Sequence, residues 1–578
     1  MFNIKKSLLL LGGCLFLLSS CNLDKLPLST LSPGTYFSNE EELRLYSNKF
    51  YQDVLPTASD LYGETADDIT KTPLSLEVSG QRTVPSTGGG WSWGALRRIN
   101  YMLANSHQTK EAPVRNHYDG IAKFFRAYFY FEKLQRYGDV PWFNTVIVSD
   151  DELLFKPRDS RDVIADSILQ DLDFAIANIR PDKSNVYRVN KWTALALKSR
   201  VGLFEGTFRK YHGLSNAEKY LTASVEASEQ LMSQGGYSLY KAGLTPYGDL
   251  FANTKAIGQE VILARDYDDA LGLTHSVQNY ENSSTMGRPG LTKKFVNTYL
   301  TSSGGRFTDL PGYGTKEFVE ETQNRDPRLA QTIRTPDYTR IGSTARVAPN
   351  LTFSMTGYHL TKYSMEQIYD ASGKSITDMP LFRIAETYLN FAEAKAELGI
   401  LTQGDLDKSV NLLRARVSMP ALNLAAANAN PDPYLSSPET GFPNVAGANK
   451  GIILEIRRER GVELVMEGFR YNDIMRWKAG KLFEKPFLGM YFSRLGNFDL
   501  DNNGTIDLCL YKGSKPSSPA SIFLEVGKDI ELTEATKGNV EAHRNIIRVF
   551  REDRDYFYPI PSEEINLSNG TLIQNPNW

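Results

Sequence analysis

The chain has 578 residues, 41% of them hydrophobic and 23% charged, with a net charge of −3 and a pI near 6.2. That balance suits a protein with a sizeable core. It lacks the basic excess that a nucleic-acid partner would demand. The 30 tyrosines and 29 phenylalanines offer flat apolar faces that serve cores and sugar-binding surfaces alike.

The N-terminus reads as an export signal. Lys5 and Lys6 precede an apolar run from Leu8 to Leu18, shorter than the about 20 residues of a membrane-spanning helix but right for a secretory signal. Two boxes could end it, Leu11-Gly12-Gly13-Cys14 and Leu18-Ser19-Ser20-Cys21. The first leaves only about five apolar residues ahead of it, short of the roughly 7–15 required. Residues 1–20 are therefore expected to be a lipoprotein signal peptide, Cys21 the lipidated first residue, 21–33 a tether and 34–578 a single domain. The alternative is an ordinary secretory signal with an incidental cysteine. Each buried methylene contributes about 0.8 kcal/mol, so several acyl chains on one cysteine anchor a protein without spanning the bilayer. Cys14 leaves with the signal, so Cys509 has no partner for an internal disulfide.

Beyond the tether, FSNEEELRLYSNKFYQDVL predicts a helix capped by Ser38, with glutamates in its first turn. Residues 56–90 are loop-like and end in VPSTGGGWSWG, where the glycines suggest flexibility. Apolar residues then recur at steps of three and four: Ile121, Phe124, Tyr128, Phe131 and Leu134; Ile164, Ile168, Leu172 and Ile176; Ala194, Leu197, Val201 and Phe204. The pattern is clearest in Ala385, Leu389, Ala392 and Ala396, followed by Leu406, Val410, Leu413 and Val417. Gly399 and Gly404 mark the turn between those two helices and Pro420 the stop. Small alanines at the contact of two antiparallel helices predict a helical hairpin. Such hairpins stack into tetratricopeptide-like arrays, although the strict repeat signature is absent. The expected fold is mostly α: a scaffold of tetratricopeptide-like hairpins with a few short strands and long irregular loops. Loops of that length are commonly functional, and the ligand-binding regions are expected at about 56–93, 255–378 and 423–449.

Five segments in order carry a resemblance: RAYFYFEKLQRYGDVP (126–141), PLFRIAETYLNFAEAKAELG (380–399), LLRARV (412–417), RRERGVELVMEGFRYNDIMRWK (457–478) and YPIPSEEINLSNGTLIQNPNW (558–578). Together with the lipobox they resemble the SusD/RagB outer-membrane lipoproteins of Bacteroidetes over essentially the whole chain. The resemblance implies a surface-exposed, lipid-anchored nutrient binder with a helical scaffold. It would act as a lid on a SusC-like TonB-dependent transporter, capturing glycans, or sometimes peptides, without covalent chemistry. Glu463, Glu467, Arg470, Arg476 and Trp477 sit at helical spacing. They are expected to lock helices together, and Tyr137, Gly138, Asp139 and Pro141 to form a fixed turn.

The residues themselves point away from catalysis. His107, His117, His212, His275, His359 and His543 are scattered, with no metal-ligand spacing. No nucleophile elbow or phosphate loop is present. Acidic pairs such as Asp67-Asp68 and Asp150-Asp151 are too common to mark a glycoside hydrolase, which stays the less favoured alternative. No cofactor is expected to be required. Sugar rings stack on aromatic faces while placed polar groups fix hydroxyls. Trp91 and Trp93 are thus the candidate platform, with Asp67, Asp68 and Arg82 on the preceding loop. Further ligand candidates are Asn279 and Tyr280 in SVQNYENSSTMGRPG and Tyr313 in LPGYGTK. In FDLDNNGTIDLCLY, Asp499, Asp501, Asn503, the backbone of Thr505, and Asp507 have the spacing of a calcium loop, with Gly504 at the turn. Leu510 stands where a bidentate acid belongs, so structural calcium competes with a plain Asx-rich turn.

Overall fold

A computed structural model of the chain describes residues 36–148 and 151–578; the signal segment, Cys21 and the tether lie outside the described residues. Helices α1 (Glu40–Val54) and α2 (Gly94–Asn105) pack on α3 (Ala112–Tyr137), which pairs with α4 (Arg161–Asn178). Helix α5 (Lys191–His212) pairs with α6 (Ala217–Gln234), and α7 (Ile384–Leu398) rests against both. The apolar stripes predicted on α3, α5 and α7 are buried throughout. On α4 Ile164, Ile168 and Leu172 are buried and Ile176 is half-buried. These antiparallel pairs are the expected hairpins. Between α5 and α6 the approach is close enough to demand glycine. A Cβ on Gly202 would lie 2.6 Å from the Tyr220 carbonyl oxygen, and one on Gly206 would lie 2.6 Å from Leu221 Cγ.

Local details differ from the sequence expectations. The cap of α1 is Asn39 rather than Ser38. The Asn39 side chain accepts from the Glu42 amide at 3.1 Å, while Glu42 Oε2 accepts from the Ser38 amide at 2.8 Å. The second arm of the α7 hairpin is broken into α8 (Gln403–Asp407) and α9 (Val410–Arg416), because Ser409 adopts a non-helical conformation and turns its hydroxyl onto the Asp405 carbonyl. Its four predicted residues still reach the core. Gly399 makes the left-handed cap of α7 at φ +78°. Gly404 instead lies inside α8, whose start is fixed by the Thr402–Asp405 capping box. The chain leaves helix at Arg416, with Ser418 at φ +59°, before Pro420 is reached.

Short strands tie the long connections to the scaffold. β1 (Ile69–Thr70) pairs antiparallel with β3 (Gly290–Leu291), and β2 (Val261–Arg265) with β4 (Met379–Arg383). β5 (Phe487–Phe492) pairs antiparallel with β9 (Gly538–Ala542). In a third unit β7 (Leu508–Tyr511) lies antiparallel to β6 (Gly496–Phe498) and parallel to β8 (Ile522–Glu525). Cys509 on β7 is buried and free. The 255–378 stretch is therefore less loop-like than its composition suggests. Tyr358, His359 and Leu360 within it are fully buried.

Helix α10 (Lys450–Leu464) is rich in charge and yet buried. Glu463 meets Arg416 at 2.5 Å, Arg383 at 2.7 Å and Arg328 at 3.2 Å. Glu467 meets Lys362 and Arg383, each at 2.7 Å. Burial alone would raise the Glu463 carboxyl, but the three guanidiniums overcome it and hold the group well below the usual carboxylate range. Helix α11 (Arg470–Arg476) continues the pattern. Arg476 and the Trp477 indole nitrogen both donate to Glu393. Glu463 and Glu467 do not share one helix with Arg470, since Met466 turns the chain at φ +63°. Their role is the expected one of locking helices.

Candidate functional site

Three glycines set up a cleft with an aromatic floor. Gly88, Gly89 and Gly90 all have positive φ, a conformation that L side chains resist. Their loop is not flexible in the sense its composition suggests, because α3 holds it. Arg136 Nε donates to the Gly89 carbonyl at 2.8 Å, Tyr137 donates to the same oxygen, and Lys133 Nζ donates to the Gly90 carbonyl. Burial lowers the Lys133 ammonium to about 8. The loop delivers Trp91 and Trp93 as an edge-to-face pair, their ring centres 5.4 Å apart. Trp91 also meets Tyr137 edge-on at 4.9 Å and is 6% exposed. Trp93 is half-buried against Phe129, Tyr130 and Phe143.

Both indoles line a cleft of about 830 Å³. Its far walls are residues 141–148 and 151–156, which contribute Phe143, Leu154, Phe155 and Lys156, and the C-terminal helix α12 (Ser562–Leu567), which contributes Glu564 and Leu567. Helix α12 is docked on the tryptophan loop by two backbone bonds, Ser562 N to Pro85 O at 2.9 Å and Glu563 N to Ser86 O at 3.1 Å. An aromatic floor with Arg97, Asn100, Lys156 and Glu564 around it has the general form of a small-molecule site. The sequence expectations do not point to the walls at 141–148, 151–156 and 562–572. Leu153, Leu154 and Phe155 are all exposed, and that apolar run in a loop was the available signal.

The other predicted ligand residues are not brought to this cleft. Asp67 is buried in an ion pair with Arg470 at 2.6 Å and Lys294 at 2.8 Å. Burial opposes its ionisation, but those two cations hold its carboxyl low. Asp68 is buried beside it, accepts from the Ile69 amide at 2.9 Å, and is pushed up by desolvation. Arg82 is buried against the C-terminus, donating to the Asp555 and Phe557 carbonyls, with its guanidinium 4.4 Å from the Tyr558 ring centre. These three are engaged within the fold rather than offered to a ligand. They are polar residues in a Gly/Pro-rich segment, and sequence alone does not show that the partners of Asp67 and Arg82 lie hundreds of residues away. Asn279 donates to the Asp370 carbonyl at 2.9 Å. Tyr280 is buried, its ring 5.1 Å from that of Tyr62. Tyr313 is half-buried, 6.2 Å from Phe307 and 6.3 Å from Tyr434.

The suspected calcium loop connects β6 to β7. Carboxylate oxygens of Asp499, Asp501 and Asp507 lie within 4.8 Å of one another. Burial raises both Asp501 and Asp507, and repulsion adds to it, from Asp507 on Asp501 and from Asp499 on Asp507. Part of their capacity is used inside the loop. Asp499 accepts from the Asn503 and Gly504 amides, Asp501 from Asn503, and Asp507 from the Leu500 amide at 2.7 Å, while Asn503 Oδ1 accepts from the Thr505 amide. Leu510 is buried in β7 and contributes no ligand. The donors fit a hard cation in type, in an incomplete set.

Every histidine has a ring nitrogen in a hydrogen bond with backbone. Among the described residues no helix is long and apolar enough to cross a membrane.

Residues 251–578 match the family described as the SusD family, more than half of the chain. This chain belongs to the SusD family. Residues 77–244 match a second family description, "Starch-binding associating with outer membrane". A SusD-like protein of Formosa agariphila is 25% identical over 392 residues, which cover 65% of this chain and 70% of that one. Among solved structures, a SusD-like protein of Bacteroides fragilis superposes with a TM-score of 0.69 at 20% identity, covering 96% of this chain and all of the other. A SusD-like carbohydrate binding protein of the same organism gives 0.67 at 20%, covering 92% and 99%. These likenesses establish the SusD fold.

Proposed function

We propose that this SusD-family chain is a lipid-anchored surface protein that binds glycans and passes them, uncleaved, to a SusC-like TonB-dependent outer-membrane transporter. The observation that carries the glycan reading is the cleft in which Trp91 and Trp93 form an aromatic floor below Lys156, Arg97 and Glu564. The family descriptions, naming starch binding and the outer membrane, and the related carbohydrate-binding structure support it. The lipobox at Cys21 supports the anchor. Transporter docking rests on the family resemblance.

Electrophoresis of the full chain in detergent through gels holding a polysaccharide panel tests the reading, with the same mixtures sampled for released sugar. Retardation by one polymer with no release supports a binder. Release of reducing ends would place the chain among the hydrolases. The apolar rim of Leu154, Phe155 and Leu567 favours a second reading, capture of peptides with apolar side chains, and a peptide panel in the same gels separates the two. The Asp499–Asp507 loop would hold a structural calcium ion through Asp499, Asp501 and Asp507, with Asn503 and the Thr505 carbonyl beside them.

A further inference from the structure

A different cleft, of about 550 Å³, lies where the 334–353 segment meets the β6–β7 loop. One wall carries Arg334, Arg340 and Arg346; the other carries Asp501, Asn503 and Asp507. Most buried arginines of this protein face carboxylates, as Arg328, Arg383 and Arg416 do. Arg334 departs from that rule. It is 5% exposed, and among the described residues no carboxylate stands within ion-pair distance of it. Its Nη2 donates to Asn282 Oδ1, its Nη1 reaches the Ala348 carbonyl at 3.4 Å, and its Nε has no partner.

Arg340, 9% exposed, lies near enough to repel it, and its own Nε is also without a partner. Asp370 takes Arg340 Nη2 at 2.6 Å and is joined to Arg334 by hydrogen bonds through Asn282. Glu281, a buried acid, is occupied by the Ser364 hydroxyl at 2.7 Å and the Tyr363 amide at 3.1 Å, and burial pushes it up to about 7. Of the three arginines on this wall, Arg340 is paired with Asp370 at 2.6 Å and Arg346 with Asp337 at 2.8 Å, which leaves Arg334 without a direct carboxylate partner. A buried cation short of partners is unfavourable until an anion supplies them, and guanidinium is suited to the planar or tetrahedral oxygens of carboxylate and sulfate.

We propose that this cleft recognises an anionic substituent, so that the glycan taken by the protein is an acidic one, carrying carboxylate or sulfate groups. Arg334 and Arg340 bind the charged group, on the wall that faces Asn503 across the cleft. The inference rests on the glycan reading above, and it adds a substrate class and a second contact region to it.

The test is retardation of the full chain in gels containing pectate, alginate or dextran sulfate, beside dextran and starch as neutral polymers and polyglutamate as an acidic non-sugar. The expected result is retardation by an acidic polysaccharide only, weakened about tenfold or more by Arg334→Gln and less by the exposed Arg346→Gln. Pectate and alginate against dextran sulfate distinguish carboxylate from sulfate. Thermal melting confirms that Arg334→Gln is folded. If that variant does not fold, competition by sodium sulfate against the wild-type chain replaces it, with displacement expected well below the concentration at which sodium chloride acts. Retardation by neutral polymers alone, or equal binding by Arg334→Gln, overturns the inference and leaves the glycan reading standing. Retardation by polyglutamate and no polysaccharide overturns both in favour of an acidic peptide. No retardation by any polymer overturns both.

Discussion

Replacing Glu463 by glutamine removes one negative charge from the centre of the buried network while keeping its shape. Three guanidiniums lose a partner, Arg416 at 2.5 Å, Arg383 at 2.7 Å and Arg328 at 3.2 Å. Breaking a buried pair in this way typically costs about 3–5 kcal/mol. Each arginine keeps another carboxylate: Arg328 retains Asp326 and Glu459, Arg383 retains Glu260 and Glu467, and Arg416 retains Glu260. The low end, about 3 kcal/mol, is therefore expected. At about 2.1 cal/mol/K per residue the unfolding entropy of a chain this long is about 1.1 kcal/mol/K, so Tm falls by about 3 °C. Differential scanning calorimetry of the full chain measures it. A Tm unchanged within 1 °C would refute the idea that the Glu463 charge is what holds these helices together.

Gly206→Ala should lower Tm as well, because its Cβ would enter within 2.6 Å of Leu221 Cγ and overpacking of this kind costs about 1–3 kcal/mol; an unchanged melt would mean that α5 and α6 can part at no cost. Stability should peak between acid and neutral pH. Glu393 is opposed by burial but held at about 2 by Arg476, so its stabilisation is full above its ordinary value of 4.5 and is lost as pH falls towards 2. Glu281 is pushed up to about 7 by burial, so its contribution is full below 4.5 and is lost as pH rises through 7. Melts at pH 3, 5 and 8 check both limbs, and a Tm that climbs steadily to pH 8 would contradict the Glu281 limb. Calcium at millimolar concentration should raise Tm relative to EDTA in the wild-type chain and leave Asp501→Asn unmoved. Equal melts in calcium and EDTA would remove the ion.

The helical scaffold was legible because burial leaves a period. Alanines at 385, 392 and 396 and the aromatics of α3 recur on one face whatever lies opposite. The break at Ser409 was not legible, since it depends on one hydroxyl choosing the Asp405 carbonyl over the helix. The cleft was half legible. Two tryptophans after three glycines pointed to the loop, but its other walls come from residues 141–148 and 151–156 and from the C-terminal helix, joined only by folding. Asp67, Asp68 and Arg82 have the composition of ligand-binding residues and turn out to be engaged by Arg470, Lys294, the Ile69 amide and the C-terminal segment. Composition records the presence of charge, whereas the partner that satisfies it is set by tertiary contact.

The most direct test of the account is the affinity of Trp93→Ala and Trp91→Ala for whichever polysaccharide retards the wild-type chain. Trp93, half-buried and facing the cleft, should lose about 1–3 kcal/mol of binding, roughly five- to 150-fold, if its ring stacks on sugar. Trp91→Ala should cost stability as well as binding. Unchanged retardation of a folded Trp93→Ala protein would contradict the claim that this aromatic cleft is where glycan is held.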